Sequence, residues 1–526
     1  MKITAAAWIV LLSSPAALGC GSEPFAPSCA EGSTCDAEPA AAPSEEECLE
    51  GLAALRVQAG CGVFASRSFG DDSNPGTMEK PVKTLARAVA LAPRARGRVF
   101  ACTDSYAEGI TLRSGIDLWG GFVCWARWSH YTEGSASGVV TLRSADAGGP
   151  PITVVAAQDD SEGVTDGVST IVDMHVQQRW RLGQDIHSIA MRLRPGAVVE
   201  VLRSVIEADG AQKGEDGQDA VYVDRQPAYG EIGAIGRDAC SAATVAGAPA
   251  VTTVCGDMVS TSGKGGDGTP DRGGDAEDGK PLTLPNPGDA GLGGAGAKVG
   301  VPCDDGRRGA DGAPGAPGTA GQGGRLTAAG WEGVAGSQGG TGAPGQGGGG
   351  GGGAPGGRSA CGNVALGGAS GGSGGGGGCG GTGGRGGDAG GASIAIFADA
   401  GSKLMLRETR VITGPGGAGG RGGEGQMGGQ GVQGGPPGQA PDLGGEDACR
   451  GGYGGWGGTG GYGGGGSGGP SIGIAYADEE QFTLERVTFE IGPGGPGGIA
   501  DVFDETRDKA NRGSDGFGAE MMRFAP

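Results

Sequence analysis

The fold is decided by a segment that occurs three times, as SIAMRLRPGAVVEVLRSVIEADG (residues 188–210), SIAIFADAGSKLMLRETRVITGPGG (393–417) and SIGIAYADEEQFTLERVTFEIGPGG (471–495). In each copy, two stretches of alternating apolar residues flank a turn, which is the pattern of short β-strands. In the second copy these residues are Ile394, Ile396, Leu404, Leu406, Val411 and Ile412. Because one copy alone has no partner for its apolar face, we expect the copies to stack as successive coils.

Stacked coils place equivalent residues of successive copies above one another. We therefore expect two interior columns, one of Ile189, Ile394 and Ile472 and the other of Leu202, Leu406 and Leu484. Glycine-rich sequence begins at the same point after each copy, so it should leave the stack at one edge.

The two long glycine-rich tracts cover residues 209–391 and 414–470, and glycine contributes 124 of the 526 residues of the chain. Glycine recurs locally at every third position, as in GRRGADGAPGAPGTAGQGG from Gly306, but the period breaks too often for a collagen triple helix. Two alternatives stay open, namely packed polyglycine-II segments and disorder. Five cysteines in the first tract favour order.

Upstream of the repeats, the apolar period changes from helical to extended. Pro81 is placed to start a helix, whose apolar stripe comprises Val82, Leu85, Ala86, Val89 and Ala90. The short strands predicted after it are Arg98–Ala101, Ile110–Leu112, Ile116–Trp119 and Val139–Leu142.

The same region carries a family resemblance in Asp71-Asp72-Ser73-Asn74-Pro75-Gly76-Thr77, Lys80-Pro81, Thr84, Ala88, Tyr106-Ala107-Glu108 and Ser114-Gly115-Ile116. These motifs resemble the opening of right-handed parallel β-helix proteins of the pectate-lyase-like class. The resemblance implies an all-β fold, a right-handed single-stranded parallel β-helix with an N-terminal capping helix. The glycine-rich tracts are then long insertions, polyglycine-II-like or disordered, and their composition resembles that of glycine-rich PGRS proteins. Many members of that class cleave polysaccharides, so it also implies a lyase or glycoside hydrolase as an alternative function.

The N-terminus predicts export. Lys2 precedes an apolar run through Leu12 that is too short to span a bilayer, and Ala17-Leu18-Gly19-Cys20 resembles the bacterial lipobox. That resemblance implies lipidation of Cys20 and, with Gly21 following, anchoring at the outer membrane or cell surface; ordinary cleavage and secretion is the alternative.

We expect seven consecutive parts of the chain. They are a signal peptide (1–20), a Pro/Ala/Glu-rich tether (21–60), the first part of the β-helix (61–208), a glycine-rich insertion (209–391), a coil (392–413), a second insertion (414–470) and the last coil with the C-terminus (471–526).

The chain has 13 cysteines, and assigning Cys20 to lipid leaves an even number for disulfides in an oxidising compartment. If each half closes on itself, Cys449 must bond to a cysteine of the first glycine-rich tract. The spacings predict no zinc site. The expected disulfide cysteines are Cys29, Cys35, Cys48, Cys61, Cys102, Cys124, Cys240, Cys255, Cys303, Cys361, Cys379 and Cys449.

A net charge of -21 argues against nucleic acid as a partner. The acidic residues are expected to keep the surface soluble, with cation binding as the alternative. Asp71, Asp72 and Asn74 offer hard oxygen ligands for calcium, although they also suit a turn and a helix entry, and no other cofactor is predicted.

No catalytic residue is identified from the sequence. The G-x-S-x-G matches at Ser373 and Ser467 and the glycine-flanked Lys264 lack the elements that their chemistry requires. We expect structural roles for the three histidines, His130, His175 and His187. The carboxylates available to an enzyme of the coils are Asp159, Asp160, Asp166, Asp173 and Asp185.

The aromatic cluster of Trp119, Trp125, Trp128 and Tyr131 suits a core or end cap, with an exposed part able to stack on sugar rings. We therefore expect a non-enzymatic structural or adhesive surface lipoprotein. Its predicted partners are the membrane, through the lipid anchor, and extracellular polysaccharide or matrix.

Overall fold

Short strands alternate among three parallel sheets as the chain advances. The computed structural model describes residues 42–130, 139–144, 149–157, 167–179, 185–220, 227–282, 286–362, 364–440, 444–478, 482–500 and 505–525. The helices are α1 (Glu45–Ala53), α2 (Leu85–Leu91) and α3 (Glu505–Asn511), with 3-10 turns at Ala92–Arg94, Cys124–Ala126 and Pro287–Asp289.

The strands, in chain order, are β1 (Val63–Ala65), β2 (Arg98–Cys102), β3 (Ser105–Ala107), β4 (Ile110–Arg113), β5 (Asp117–Val123), β6 (Ser129–His130), β7 (Val140–Arg143), β8 (Ile152–Val155), β9 (Ser169–Val172), β10 (Met174–Gln178), β11 (Ser188–Leu193), β12 (Val198–Leu202), β13 (Val205–Ala208), β14 (Thr252–Cys255), β15 (Met258–Thr261), β16 (Gly324–Thr327), β17 (Gly330–Gly333), β18 (Ser393–Ala398), β19 (Lys403–Arg407), β20 (Arg410–Thr413), β21 (Ser471–Tyr476), β22 (Phe482–Glu485), β23 (Thr488–Glu490) and β24 (Gly518–Arg523).

Sheet A has the order β1-β2-β5-β9-β12-β19-β22, with β6 antiparallel to β5. Sheet B has the order β3-β7-β10-β13-β20-β23, and sheet C the order β4-β8-β11-β18-β21-β24. Successive coils such as β9-β10-β11 and β19-β20-β21 therefore give one strand to each sheet. This all-β arrangement of stacked parallel strands is compatible with a β-helix-like fold, and the predicted strands near residues 98, 110, 116 and 139 are confirmed as β2, β4, β5 and β7.

The three repeats stack as predicted, but the two predicted columns need correction. Ile189 lies opposite Ile394, and Ile394 opposite Ile472, in neighbouring strands. These residues belong to a second apolar cluster with Leu326 and Trp331 of the β16–β17 hairpin, not to the main core between the sheets. Both faces of sheet C are buried here. The apolar character of these isoleucines therefore did not show whether they face the inside or the outside of the coil.

The second predicted column is wrong for Leu202. Leu406 lies opposite Val201 on one side and Leu484 on the other, whereas Leu202 lies opposite Arg407. Val201 follows Ser188 by the same number of residues as Leu406 follows Ser393, so Val201 is the equivalent of Leu406. Leu202 is one residue further along, and a shift of one residue turns a strand side chain to the other face. Leu484, in the last described coil, stays 38% exposed.

Helix α2 covers the N-terminal part of the core, but its predicted start and stripe need correction. It begins at Leu85, after the Thr84 N-cap, not at Pro81. Leu85, Ala88 and Val89 are buried, whereas Ala86 and Ala90 are exposed. The N-cap hydroxyl accepts the N–H of Arg87, and this bond fixes the helical register.

The predicted tether does not extend to residue 60, because residues 43–60 belong to the folded unit, and the rest of its predicted range up to residue 41 lies outside the described residues. Ser44 and Glu47 form a capping box that starts α1. Cys48 and Leu52 of this helix are buried, and Cys48 is bonded to Cys61. Proline, alanine and glutamate suggested an extended segment, but the cap and the disulfide select a helix.

The glycine-rich sequence leaves the stack at one corner, between sheets B and C, as predicted. It follows β13, β20 and β23 and returns at β18, β21 and β24. The excursion after β23, over residues 491–517, was not anticipated. All three excursions pack side by side as one body, which we call the bundle.

Six extended segments form most of the bundle. We number them segment 1 (211–220 and 227–239), segment 2 (303–321), segment 3 (334–354), segment 4 (367–392), segment 5 (415–439) and segment 6 (449–470). Neighbouring segments are joined by backbone hydrogen bonds at every third residue, as in the bonds that Gly454, Gly457 and Gly460 donate to segment 5 over 2.8–2.9 Å. This spacing is the one expected of polyglycine II.

Glycine is required where the segments meet. A Cβ built on Gly458 would lie 2.0 Å from the carbonyl oxygen of Ala313, and one on Gly381 would lie 2.0 Å from that of Gln426. Both distances are far below van der Waals contact with backbone that has no room to move. The glycine content therefore follows from close packing of the backbone, and the described part of the tracts is ordered.

Replacing Gly458 by alanine is expected to lower the midpoint of thermal unfolding, because the new methyl group meets the backbone of segment 2. Overpacking of this kind costs about 1–3 kcal/mol and sometimes more. The matched control is Thr459→Ala at the exposed neighbouring position. Calorimetry of both variants that gave equal midpoints would contradict the packing described above.

Candidate binding face of the glycine-rich bundle

Segment 6 exposes one residue in three. Its exposed residues from 450 to 459 are Arg450, Tyr453, Trp456 and Thr459, and the glycines between them are buried or half-buried. A threefold extended helix directs every third side chain the same way. The other two positions of each turn face neighbouring segments and are therefore glycine.

This pattern produces an aromatic row on the surface. Tyr453 is 51% exposed, Trp456 is 45% exposed, and Tyr462 is half-buried six residues further on. At a rise of about 3.1 Å per residue, Tyr453 and Trp456 are about 9 Å apart along the segment. The row lies between segments 2 and 5, which hydrogen-bond to segment 6 from opposite sides.

Segments 1 and 5 extend the same surface. Tyr229, Met427, Gln430 and Trp456 line one depression of about 290 Å³, so side chains of segments 1, 5 and 6 meet there. Met427 is 70% exposed, and Ile232 follows Tyr229 at the three-residue interval with 64% exposure. We call the surface formed by segments 1, 5, 6 and 2 the outer face. Exposed apolar side chains that are neighbours on one surface are typical of a contact surface.

Aspartates complete the backbone hydrogen bonding at this surface. Oδ1 of Asp305 accepts the N–H of Arg450, and Oδ1 of Asp311 accepts the N–H of Trp456, both over 2.8 Å. Part of the acidic composition therefore has a structural role that the sequence interpretation, with its choice between solubility and cation binding, did not include. Other aspartates that accept a bundle N–H are Asp216, Asp219, Asp238, Asp267, Asp275, Asp278, Asp447, Asp508 and Asp515.

Two of these carboxylates have a lowered pKa. Burial alone would raise the pKa of Asp267, but hydrogen bonds from the N–H of Gly247 and from Lys264 outweigh it. The same balance holds for Asp216, where Lys213 and the N–H of Arg421 outweigh burial and lower the pKa. Folding therefore favours the ionised form of both groups.

Disulfides fasten the bundle and the N-terminal region. The prediction for Cys449 is confirmed, since it bonds to Cys303 of the first tract and so links segment 6 to segment 2. Cys20, Cys29 and Cys35 lie outside the described residues. The remaining pairs are Cys48–Cys61, Cys102–Cys124, Cys240–Cys361 and Cys255–Cys379.

The histidines each contact a neighbouring element. Nε2 of His130 is 2.9 Å from Oδ2 of Asp173, and Nε2 of His175 is 2.6 Å from Oε2 of Glu207. Nδ1 of His187 accepts the N–H of Ala392 over 3.0 Å, and burial lowers the pKa of this imidazole. These contacts join adjacent coils or, for His187, the coil to the end of the first tract.

A column of charged residues follows the corner between sheets A and B. Asp173, Arg203, Glu408 and Arg486 each turn the chain with a φ between 47° and 53°, in the left-handed region that such residues seldom adopt. Arg203 donates two hydrogen bonds of 2.9 and 2.8 Å to Asp173, and Arg486 pairs with Glu408. The charges alternate from coil to coil.

Of the five candidate carboxylates, the described residues include Asp173 and Asp185, which have different surroundings. Asp159, Asp160 and Asp166 lie outside the described residues. Asp173 is held by His130 and Arg203, which outweigh burial and lower its pKa. Asp185 is exposed at the rim of a cavity of about 170 Å³ that His187 and Arg192 also line.

The candidate calcium ligands are used within the fold. Oδ1 of Asp71 accepts both hydrogen bonds of Ser73, and Oδ1 of Asp72 accepts the N–H groups of Lys83 and Thr84 at the entry to α2. The amide of Asn74 donates to the carbonyl of Pro81 over 2.9 Å. This is the turn and helix entry that the sequence offered as the alternative to a calcium site. Within the described ranges, no cluster of three or more acidic, histidine or cysteine side chains is placed to hold a metal ion.

The glycine-flanked serines and lysine also have structural contacts. Ser373 and Ser467 are fully buried, and their hydroxyls accept the N–H groups of Ala234 and Val334. Lys264 pairs with Asp267 over 3.1 Å.

The tryptophan cluster divides between core and surface. Trp128 is buried against Phe64 and donates its indole N–H to the carbonyl of Met78, while Trp119 is partly buried. Trp125 is 63% exposed, and Tyr131 lies outside the described residues. This cluster is separate in sequence from the aromatic row of segment 6, which the sequence interpretation did not identify. The pattern that indicates this row is GGYGGWGGTGGYGG, in which a residue other than glycine occurs at every third position.

Comparisons with family models, with curated proteins and with solved structures gave no match to this chain. In the part of the chain that the structure covers, no helix has the length and apolar character needed to cross a membrane.

Acid is expected to lower the stability of the bundle. Because the pKa values of Asp216 and Asp267 are lowered on folding, their contribution is complete above the unfolded value of about 3.9 and is lost as pH falls through the folded values. We expect the unfolding midpoint to drop as the pH falls below about 4, with a smaller drop in Asp267→Asn. Asp257→Asn, at an exposed hairpin turn, serves as the control and should keep the full drop. A pH profile that is the same in all three proteins would contradict this role for Asp267.

Proposed function

We propose that this chain is a non-enzymatic, surface-exposed adhesive lipoprotein that binds polysaccharide through the outer face of its bundle. The observation that carries the proposal is the row of Tyr453, Trp456 and Tyr462 at multiples of three residues on segment 6. Aromatic rings present an apolar face to a sugar ring while their polar edges stay in water. Three rings on one straight segment suit an extended polymer better than a compact ligand.

The scaffold of this proposal is a right-handed, single-stranded parallel β-helix with polyglycine-II insertions. The resemblance of residues 61–145 to the pectate-lyase-like class supports the handedness. The three-residue hydrogen-bond period supports polyglycine II. In this arrangement the coils fix the ends of the segments, and the segments carry the binding surface.

Backbone hydrogen bonding and disulfides hold the aromatic row in place before a ligand arrives. Segment 6 is bonded to segments 2, 3, 4 and 5, and Cys449 ties it covalently to segment 2. Little chain entropy is then lost on binding, which favours affinity. The net charge of -21 disfavours polyanions such as nucleic acid as the bound polymer.

Anchoring through Cys20 is part of the proposal. The lipobox-like Ala17-Leu18-Gly19-Cys20 supports it, and so does cysteine parity. Ten cysteines form five disulfides in the described residues, which leaves Cys29 and Cys35 to pair with each other if Cys20 carries lipid.

Polysaccharide cleavage is the competing function. The described coils offer His175 and Glu207 as a close acid–base pair on sheet B. However, Glu207 also accepts a hydrogen bond from Gln177, and the pair lies on a sheet surface, not beside the aromatic row. Release of shortened products from any polymer would favour the enzyme and would make His175→Ala the next variant to test.

Replacing Trp456 by alanine is expected to weaken polysaccharide binding about tenfold, which corresponds to ~1.4 kcal/mol for one stacked ring. The triple variant Tyr453→Ala/Trp456→Ala/Tyr462→Ala should abolish retention. Affinity electrophoresis and pull-down with neutral and acidic polysaccharides measure the effect on the mature soluble protein.

Trp125→Ala is the matched control, because it removes an exposed tryptophan outside the bundle and should leave retention unchanged. Wild-type retention in the triple variant, with its unfolding midpoint preserved, would overturn the proposed binding face.

Cys20→Ser is expected to move the protein from the membrane fraction to the soluble fraction and to abolish labelling by a palmitate analogue. Ser22→Ala should change neither property. Full labelling of Cys20→Ser would exclude this cysteine as the lipid site.

A further inference from the structure

Backbone hydrogen bonds align three segments of the outer face in register. Gly233 of segment 1 donates to the carbonyl of Gln433 over 3.1 Å, and Gly454 of segment 6 donates to that of Val432 over 2.8 Å. These bonds place Ile232, Gln433 and Tyr453 at one level across the face. An apolar side chain, an amide and an aromatic ring thus stand side by side.

The next level repeats this order three residues along. Gly230 donates to the carbonyl of Gln430 over 2.9 Å, and Gly457 donates to that of Gly429 over 2.9 Å. Tyr229, Gln430 and Trp456 therefore lie at one level, and all three line the same depression. The face consists of an apolar row, an amide row and an aromatic row that run in the same direction.

The three rows carry no charge at either level, and the charges beside the aromatic row belong to segment 2, where Asp311 accepts the N–H of Trp456 and pairs with Arg308. The nearest charged members of the rows are Glu424, three residues before Met427, and Arg450, three residues before Tyr453. Exposed glutamine amides both donate and accept hydrogen bonds, which suits hydroxyl groups that do the same. An ionised polymer would gain nothing there to offset the loss of its hydration.

The repeat along the rows is about 9 Å, which is close to the length of two sugar rings in an extended β-1,4-linked chain. A single soluble polysaccharide chain covers one row. Because segments 1 and 6 carry parallel rows, a second polysaccharide chain can make its own contacts, and the amide row lies between the rows of segments 1 and 6.

We infer that the outer face binds uncharged, extended polysaccharide chains packed side by side, as on the surface of a crystalline β-linked fibre, in preference to single soluble chains. This inference rests on the proposed function and names the class of polysaccharide that is bound. The aromatic row contacts one chain, the row of Tyr229 and Ile232 contacts its neighbour, and Gln430 and Gln433 hydrogen-bond to hydroxyl groups between them.

The test compares binding isotherms on crystalline cellulose and crystalline chitin with binding to soluble cellohexaose and chitohexaose and to polygalacturonate. We expect at least tenfold tighter binding to one crystalline polymer than to its soluble oligomer, and no binding to polygalacturonate. Ile232→Ala/Gln433→Ala should weaken binding to the crystalline polymer at least fivefold and leave oligomer binding unchanged. Val254→Ala, on an exposed hairpin outside these rows, is the matched control and should bind like the wild type.

The outcomes separate this inference from the proposed function. Equal binding of soluble and crystalline polymers, tight binding of polygalacturonate, or wild-type behaviour of Ile232→Ala/Gln433→Ala would overturn the inference while Trp456→Ala still weakened binding. Wild-type binding by Trp456→Ala to every polymer would instead overturn the proposed function. All variants are compared at equal unfolding midpoints, which these exposed positions should preserve.

Discussion

The structure depends on backbone hydrogen bonds between extended segments. These segments pack so closely that no side chain fits between them. These hydrogen bonds recur at every third residue along neighbouring segments, and most of their donors are glycines, because a Cβ there would meet the neighbouring backbone. Ordering glycine is costly in entropy, so the bundle needs many such bonds made together. The stack of coils supplies the ends from which the segments start in register, and Cys303–Cys449 prevents two of them from separating.

The same constraint determines where chemistry can occur. Two of three positions on segment 6 are occupied by glycine, so function is limited to the remaining position and to the edges. Tyr453 and Trp456 occupy that position. Aspartates such as Asp311 lie at the edge, where the carboxylate takes the place of a backbone carbonyl and accepts the N–H of Trp456. Acidic composition and aromatic pattern thus have one origin in the geometry of the bundle.

The sequence was sufficient to predict the stacked coils, the exit points of the glycine-rich tracts and the partner region of Cys449. The sequence was insufficient to identify the residues of the two interior columns. Ile394 lies on a sheet that is buried on both faces, so its apolar character did not show which face it occupies. Leu202 was aligned with Leu406 because both are leucines, whereas the equivalent residue is Val201. The binding face could not be predicted in full. Tyr229 and Trp456 are more than two hundred residues apart, and only the hydrogen-bond register places them at one level.

The alternating charges at the corner of sheets A and B restrict how such a chain can lengthen. Asp173, Arg203, Glu408 and Arg486 succeed one another through four coils with opposite sign at each step. Duplicating one coil would place two like charges in contact at a strained turn, whereas duplicating two consecutive coils would keep every neighbour opposite in sign. Growth of this protein by gene duplication is therefore expected to proceed in even steps, and relatives should differ by pairs of coils.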